Sequence, residues 1–100
     1  MKRGVCKNIL YNHAMELISS GQVVVIDVRE KNEINASSKS LKGSIQIPIN
    51  EFVKKIREVV PDRNQAILVY CSSGSRSIFA CQILADLGYK KVYNLQGGLE

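Results

Sequence analysis

Several features that often reveal a protein's class are missing from this 100-residue chain. No apolar run approaches the roughly 20 residues that cross a bilayer, which excludes a membrane-spanning helix. Residues 4–12, behind a basic start, lack the apolar core of a signal peptide, so no export signal is expected. His13 is the only histidine and no C-x-x-C pair occurs, so no metal site is expected either.

Cysteine is also scarce, with single residues at Cys6, Cys71 and Cys81. A disulfide framework needs pairs of cysteines and an oxidising compartment, and an odd number without an export signal argues against both. The count therefore predicts free thiols and a cytoplasmic location. Cys81 is expected to pack inside a helix, with a resolving thiol as the alternative, and no role is expected for Cys6.

The composition that remains is that of one compact domain, predicted over residues 1–100. Hydrophobic residues make up 45% of the chain and charged residues 23%, with two prolines and seven glycines, which argues against disorder. The net charge of +5 favours anionic small molecules as ligands. Because no aromatic platform accompanies the basic residues, nucleic-acid binding is not expected.

Strand and helix patterns alternate along the chain. The branched apolar runs 23–28 and 66–70 predict strands buried on both faces, and weaker strand candidates lie at 5–9, 44–47 and 91–95. Helices are predicted over 12–19, from an N-cap at Asn50 to Pro61, and over 75–87. The polar segment 30–42 is interpreted as a surface connection with room for a turn of helix. The helical residues expected to point inward are Ala14, Leu17, Ile18, Phe52, Val53, Ile56, Val59, Val60, Phe79, Ala80, Ile83, Leu84 and Leu87.

This alternation predicts an α/β fold with a mainly parallel sheet of about five strands and helices on both faces. In such sheets ligands bind at the carboxyl ends of the strands. Residues 70–77, Tyr-Cys-Ser-Ser-Gly-Ser-Arg-Ser, lie at that edge, between a strand and the longest predicted helix. Gly74 and the small residues allow a tight curl, in which successive N–H groups face one centre and form an anion site.

Such a loop would also stabilise a thiolate, so Cys71 is expected to be largely ionised near neutral pH. Arg76 adds a fixed charge and a planar set of donors suited to oxyanions. A structural alternative exists for each: Cys71 as a small packing residue, and Arg76 as a solvated residue of the first helical turn. An arginine near the positive end of a helix dipole is unfavourable without an anion nearby, which favours a binding role.

Four motifs in their order along the chain resemble those of the rhodanese-like domains, a family of single-domain sulfurtransferases. Residues 27–30 (Asp-Val-Arg-Glu) are similar to its D-V-R-E, and 43–48 (Gly-Ser-Ile-Gln-Ile-Pro) to its G-A-x-N-I-P. Residues 70–77 are similar to Y-C-x-x-G-x-R-S, and 95–98 (Leu-Gln-Gly-Gly) to L-x-G-G. The resemblance spans the chain from about Asn8 to its end.

Two departures accompany this resemblance. The family's G-H-I-P-G reads Ser-Leu-Lys-Gly at residues 40–43, without the histidine and the proline. The sequence also stops at Glu100, where relatives generally continue with an aromatic residue and a short helix. The resemblance therefore leaves open that a tail was removed or that the domain belongs to a longer protein.

The resemblance implies a persulfide mechanism that needs no cofactor and no histidine base. Cys71 would attack the outer sulfur of thiosulfate or a similar anionic donor and pass that sulfur to cyanide, a thiol or a protein acceptor. The substrate-binding residues would be Ser72, Ser73, Gly74, Ser75 and Arg76. The residues implied to support the loop are Asp27, Arg29 and Ser77, with a purely structural Asp27–Arg29 network as the alternative.

Two other functions are kept as alternatives. The domain could be a persulfide carrier or binding module that a partner protein loads. It could also be a relative of the phosphatases and arsenate reductases that use C-x5-R, although the spacing from Cys71 to Arg76 is C-x4-R, one residue shorter. No membrane or nucleic-acid partner is expected, and the oligomeric state is predicted as monomeric, with a weak homodimer as the alternative.

Overall fold

The computed structural model describes residues 5–99, in which five strands alternate with four α-helices. The strands are β1 (Cys6–Ile9), β2 (Val23–Asp27), β3 (Ile45–Gln46), β4 (Ala66–Tyr70) and β5 (Val92–Leu95). The helices are α1 (Tyr11–Ser20), α2 (Lys31–Ala36), α3 (Phe52–Val59, after the 3-10 turn Ile49–Glu51) and α4 (Ser75–Asp86). None of the helices in this part of the chain is long and apolar enough to cross a membrane.

All strand pairs are parallel, in the order β1-β5-β4-β2-β3. The predicted α/β fold is therefore confirmed. Central strand β4 is buried on both faces because its apolar residues alternate between two cores. One core lies under α3 and α4, and the other lies under α1.

The strand register brings the segments that follow β2, β3 and β4 to one edge of the sheet. Asp27 at the end of β2 is the partner of Tyr70 at the end of β4, and the N–H of Val28 donates to the carbonyl of Tyr70 over 3.0 Å. Gln46 at the end of β3 is in turn the partner of Asp27. The segments after β2, β3 and β4 therefore begin side by side.

Three details of the helices differ from the sequence-based expectation. Phe79 and Val53, expected to point inward, are 58% and 56% exposed, and Val59 is 38% exposed. Ala80 and Leu84 are buried in α4 as predicted, and the buried side of this helix also includes Ser77, Cys81 and Ala85. Asn50 is not the N-cap of α3, because it lies inside the preceding 3-10 turn and Glu51 takes the cap position.

The prediction of three free thiols is wrong, because Cys6 and Cys81 form a disulfide. These cysteines are 75 residues apart in sequence, but α4 packs against β1 and brings their Cα atoms to 5.6 Å. Cys81 is fully buried, as expected, while Cys6 on the edge strand is partly buried. The argument for a cytoplasmic location from unpaired cysteines therefore no longer holds.

Candidate active site

The loop between β4 and α4 folds around the sulfur of Cys71. The N–H of Gly74 lies 3.1 Å from Cys71 Sγ and that of Ser77 lies 3.4 Å away. Gly74 adopts φ +97°, a left-handed conformation that glycine tolerates best, and this turn directs the N–H groups inward. The predicted inward-facing loop is thus observed, and it surrounds a side chain with no exposed surface.

Ser77, on the first turn of α4, contributes its side chain as well as its backbone. Its hydroxyl lies 3.4 Å from Cys71 Sγ and 3.3 Å from the carbonyl of Gly74, to which it donates. When Cys71 is a thiol, the S–H donates to Ser77 Oγ; on ionisation the hydroxyl can rotate and donate to the thiolate. Ser77 is fully buried, so water does not compete for these contacts.

Burial and hydrogen bonding act on the pKa of Cys71 in opposite directions. Burial raises this pKa because a buried thiolate loses its hydration, whereas the hydroxyl of Ser77 and the backbone N–H groups of Ser77, Gly74 and Arg76 lower it. The net result is a pKa below that of an ordinary cysteine. The site therefore favours the nucleophilic form of the sulfur.

The glycine pair after β5 packs directly on this loop. A Cβ atom at Gly98 would lie 2.2 Å from the carbonyl oxygen of Ser72, and one at Gly74 would lie 3.2 Å from the backbone nitrogen of Gly97. The N–H of Leu99 donates to the carbonyl of Cys71 over 3.0 Å. The segment after β5 thus holds the cysteine loop from outside, and only glycine permits so close an approach at position 98.

The side chain of Arg76 is occupied by an acidic partner that the sequence analysis missed. Its two terminal nitrogens donate to both carboxylate oxygens of Glu33 on α2, at 2.5 and 2.6 Å. The N–H of Glu30 donates to the same carboxylate, and together these bonds lower the pKa of Glu33 to about 2. The E-x-x-E spacing of Glu30 and Glu33 after a strand signals a helix start, but nothing in it points to a partner 43 residues away.

Asp27 and Arg29, predicted to support the loop, form a buried ion pair with each other. Arg29 donates to both carboxylate oxygens of Asp27 at 2.7–3.1 Å, through its Nε and Nη2 atoms and its backbone N–H. The guanidinium also lies 5.4 Å from the ring centre of Tyr70 and donates to the carbonyl of Lys39. Asp27 and Arg29 thus form the hydrogen-bond network that the sequence left as the alternative.

The remaining predicted residues lie on the outer side of the loop. Ser73 and Ser75 are exposed, with their hydroxyl oxygens 3.2 Å apart. Ser72 lines a cavity of about 420 Å³ between the cysteine loop and the segment that starts at α2. A second cavity, of about 320 Å³, lies at the amino ends of β2 and β4, far from this chemistry.

The fold and site together define a parallel α/β protein with a buried, hydrogen-bonded cysteine at the carboxyl edge of the sheet. The family model for the rhodanese-like domain matches residues 11–100, and the chain belongs to this family.

Named relatives support the same assignment. The chain is 39% identical over 75 residues to thiosulfate sulfurtransferase PspE of Escherichia coli, covering 75% of this chain and 69% of the relative. It is 33% identical over 75 residues to the putative sulfur carrier protein YrkF of Bacillus subtilis, covering 75% of this chain and 38% of that protein. The crystal structure of a rhodanese-related protein from Thermoplasma volcanium superposes with a TM-score of 0.77 at 32% identity, over 92% of this chain and 85% of that one.

Proposed function

We propose that this protein is a sulfurtransferase that moves sulfane sulfur from thiosulfate, or a similar small anionic donor, to a thiol or protein acceptor. The observation that carries the proposal is the convergence of the Gly74 and Ser77 N–H groups and the Ser77 hydroxyl on Cys71 Sγ. Donors arranged in this way stabilise a sulfur anion. The name of the Escherichia coli relative, thiosulfate sulfurtransferase, supports the choice of donor.

The first half-reaction transfers one sulfur atom to the enzyme. The Cys71 thiolate attacks the outer sulfur of thiosulfate, a new S–S bond forms, and sulfite leaves with the electron pair of the broken bond. The product is a Cys71 persulfide anion, whose charge the loop N–H groups stabilise. Because the hydrogen bonds from Ser77, Gly74 and Arg76 lower the pKa of Cys71, the scheme needs no separate general base.

The second half-reaction returns Cys71 to its starting state. An acceptor thiolate attacks the outer sulfur of the persulfide, the Cys71–sulfur bond breaks, and Cys71 leaves as a thiolate. In this scheme Ser72, Ser73, Gly74, Ser75 and Arg76 form the loop that contacts the transferred group. Ser77 positions the sulfur, and Asp27 and Arg29 fix the neighbouring segment.

A carrier function is the second candidate. The name of the Bacillus subtilis relative, a putative sulfur carrier protein, supports it. Under this alternative the persulfide forms on the same residue, but a protein donor supplies the sulfur.

Intact-mass spectrometry after incubation with thiosulfate tests the proposal. One added sulfur atom is expected on the wild-type protein and on a variant in which both Cys6 and Cys81 are alanine, since Cys71 is the one free cysteine within residues 5–99. Cys71→Ser should show no added sulfur and no thiosulfate:cyanide turnover. Sulfur addition to Cys71→Ser would refute the mechanism, and loading only by a protein persulfide would favour the carrier function.

A further inference from the structure

The ion pair between Arg76 and Glu33 leaves open how the site attracts an anionic substrate. Both terminal nitrogens of Arg76 donate to Glu33, whose carboxylate balances the guanidinium charge. The two side chains are each 32% exposed, so the pair lies at the rim, with no net charge. A substrate anion at the entrance therefore needs another cation.

The cavity beside the cysteine loop contains such a cation. Its lining consists of Ser72, next to the nucleophile, and residues of the α2 segment: Glu33, Ala36, Ser37, Ser38 and Lys39. Lys39 is the only basic residue of this lining within the described range. The carboxylate of Glu33 is already neutralised by Arg76, so the charge that remains at the cavity is that of Lys39.

The backbone of Lys39 is fixed. The buried Arg29 donates to its carbonyl over 3.2 Å, and its own N–H donates to Ser37 Oγ over 3.1 Å. Its side chain is exposed, and no ion pair joins it to a carboxylate anywhere in residues 5–99. An anchored backbone with an unpaired ammonium group suits the binding of a small anion.

The cavity is large enough for a small organic or inorganic anion beside the cysteine loop. About 420 Å³ lies within the usual range of ligand sites, and three serine residues line it together with Lys39. Hydroxyl groups and an ammonium group are donors for sulfonate or carboxylate oxygens. Because Ser72 directly follows Cys71, a ligand here would have its reactive sulfur close to the loop.

We propose that this cavity binds the anionic group of the small sulfur substrate, with Lys39 supplying the charge and Ser38 and Ser72 supplying hydroxyl donors. The inference rests on the proposed sulfurtransferase function. The anionic group belongs either to the donor, as the sulfonate end of thiosulfate, or to the acceptor, as the carboxylate of a small thiol. Arg76 then shapes the cavity through Glu33 and contributes its backbone N–H to the sulfur.

The test compares Lys39→Gln with Lys42→Gln, a matched change at an exposed lysine outside the cavity. Persulfide loading is measured with thiosulfate, and discharge with 3-mercaptopropionate and with the uncharged 2-mercaptoethanol. Lys39→Gln should lower the second-order rate with the anionic substrate roughly tenfold, the low end of what one hydrogen bond to a charged group contributes. Lys42→Gln and the reaction with 2-mercaptoethanol should change little.

Comparing persulfide loading with persulfide discharge identifies which substrate carries the bound anionic group. A loss confined to loading assigns the site to the donor, and a loss confined to discharge into 3-mercaptopropionate assigns it to the acceptor. Equal losses in Lys42→Gln, equal losses with 2-mercaptoethanol, or no loss in Lys39→Gln would overturn the proposal.

A binding measurement separates this inference from the proposed function. In the unreactive Cys71→Ser protein, thiosulfate or 3-mercaptopropionate should shift the amide NMR signals of Ser37, Lys39 and Ser72, and the added change Lys39→Gln should abolish the shifts. If these shifts occur while wild-type Cys71 never gains sulfur, the function fails and the binding site stands. If Cys71 gains sulfur but the signals do not move, the binding site is wrong.

Discussion

Cys71 and Cys81 lie in the same apolar core, and neither side chain has exposed surface. Their immediate partners differ. Cys71 Sγ lies within reach of two backbone N–H groups and a hydroxyl, whereas Cys81 Sγ is bonded to Cys6 on the edge strand. Burial alone therefore does not decide what a cysteine does in this fold.

The helix α4 links the two environments. Ser77 on its first turn contacts the reactive sulfur, and Cys81 lies four residues further along the buried side. At the start of a helix the backbone N–H groups have no intrahelical acceptors and are available to an anion, whereas one turn later they are used within the helix. This difference predicts that one sulfur is reactive and the other structural.

The largest expected effect concerns the structural sulfur. Because the disulfide joins residues 75 apart in sequence, its reduction should lower the free energy of unfolding by about 2–4 kcal/mol. Urea unfolding of the wild-type protein with and without reductant measures this loss. The variant with alanine at Cys6 and Cys81 should be insensitive to reductant yet still gain sulfur on Cys71. Identical unfolding of the wild-type protein in both conditions would contradict the structural role.

The next effect concerns the packing that holds the reactive loop. Gly98→Ala should distort the loop, since the new Cβ would lie 2.2 Å from the carbonyl oxygen of Ser72. Gly97→Ala is the matched control: it has a similar positive φ, but nothing lies within 4 Å of its Cβ position. Both should lose about 1–2 kcal/mol from the left-handed backbone, and Gly98→Ala about 1–3 kcal/mol more from the clash. Its rate of sulfur loading should also fall, whereas equal behaviour of the two variants would show that this contact is unimportant.

The sequence alone predicted the parts of the molecule that depend on local pattern. The β4 strand, the α4 helix and the curled loop between them follow from an apolar run, an apolar stripe and the small residues around Gly74. The fold class follows from their alternation. These features need no knowledge of distant partners.

Contacts between residues far apart in sequence could not be predicted in this way. The disulfide depends on α4 packing against the edge strand β1, and the ion pair of Arg76 depends on α2, a segment without clear periodicity. The exposure of Phe79 depends on which side of α4 faces the core, and that side carries the buried Ala80 and Ala85. Each of these three features depends on how the elements of the whole sheet are arranged.

A smaller effect is expected at the hydroxyl beside the reactive sulfur. Ser77→Ala removes a group whose hydrogen bond lowers the pKa of Cys71, so this pKa should rise. At a pH below the pKa, the rate of alkylation by iodoacetamide should fall a few-fold, corresponding to one hydrogen bond of about 1 kcal/mol. Ser19→Ala, at an exposed serine of α1, is the control. An unchanged pH profile would mean that the backbone N–H groups alone stabilise the thiolate.

The smallest effect is expected at the ion pair between Arg76 and Glu33. Arg76 and the N–H of Glu30 lower the pKa of Glu33 to about 2, so the carboxylate binds its proton less readily in the folded state than in the unfolded chain. The pair therefore stabilises the fold above the unfolded pKa of about 4.3, and this contribution disappears as the pH falls toward 2.

Glu33→Gln should accordingly lower the free energy of unfolding by less than about 1 kcal/mol at pH 7, as partly exposed ion pairs do. The difference from the wild-type protein should vanish as the pH approaches 2, the pKa of the folded carboxylate. Urea unfolding at several pH values measures it, with Glu16→Gln, at an exposed carboxylate on α1, as the control. A difference that persists at low pH would show that Glu33 stabilises the fold through packing and not through its charge.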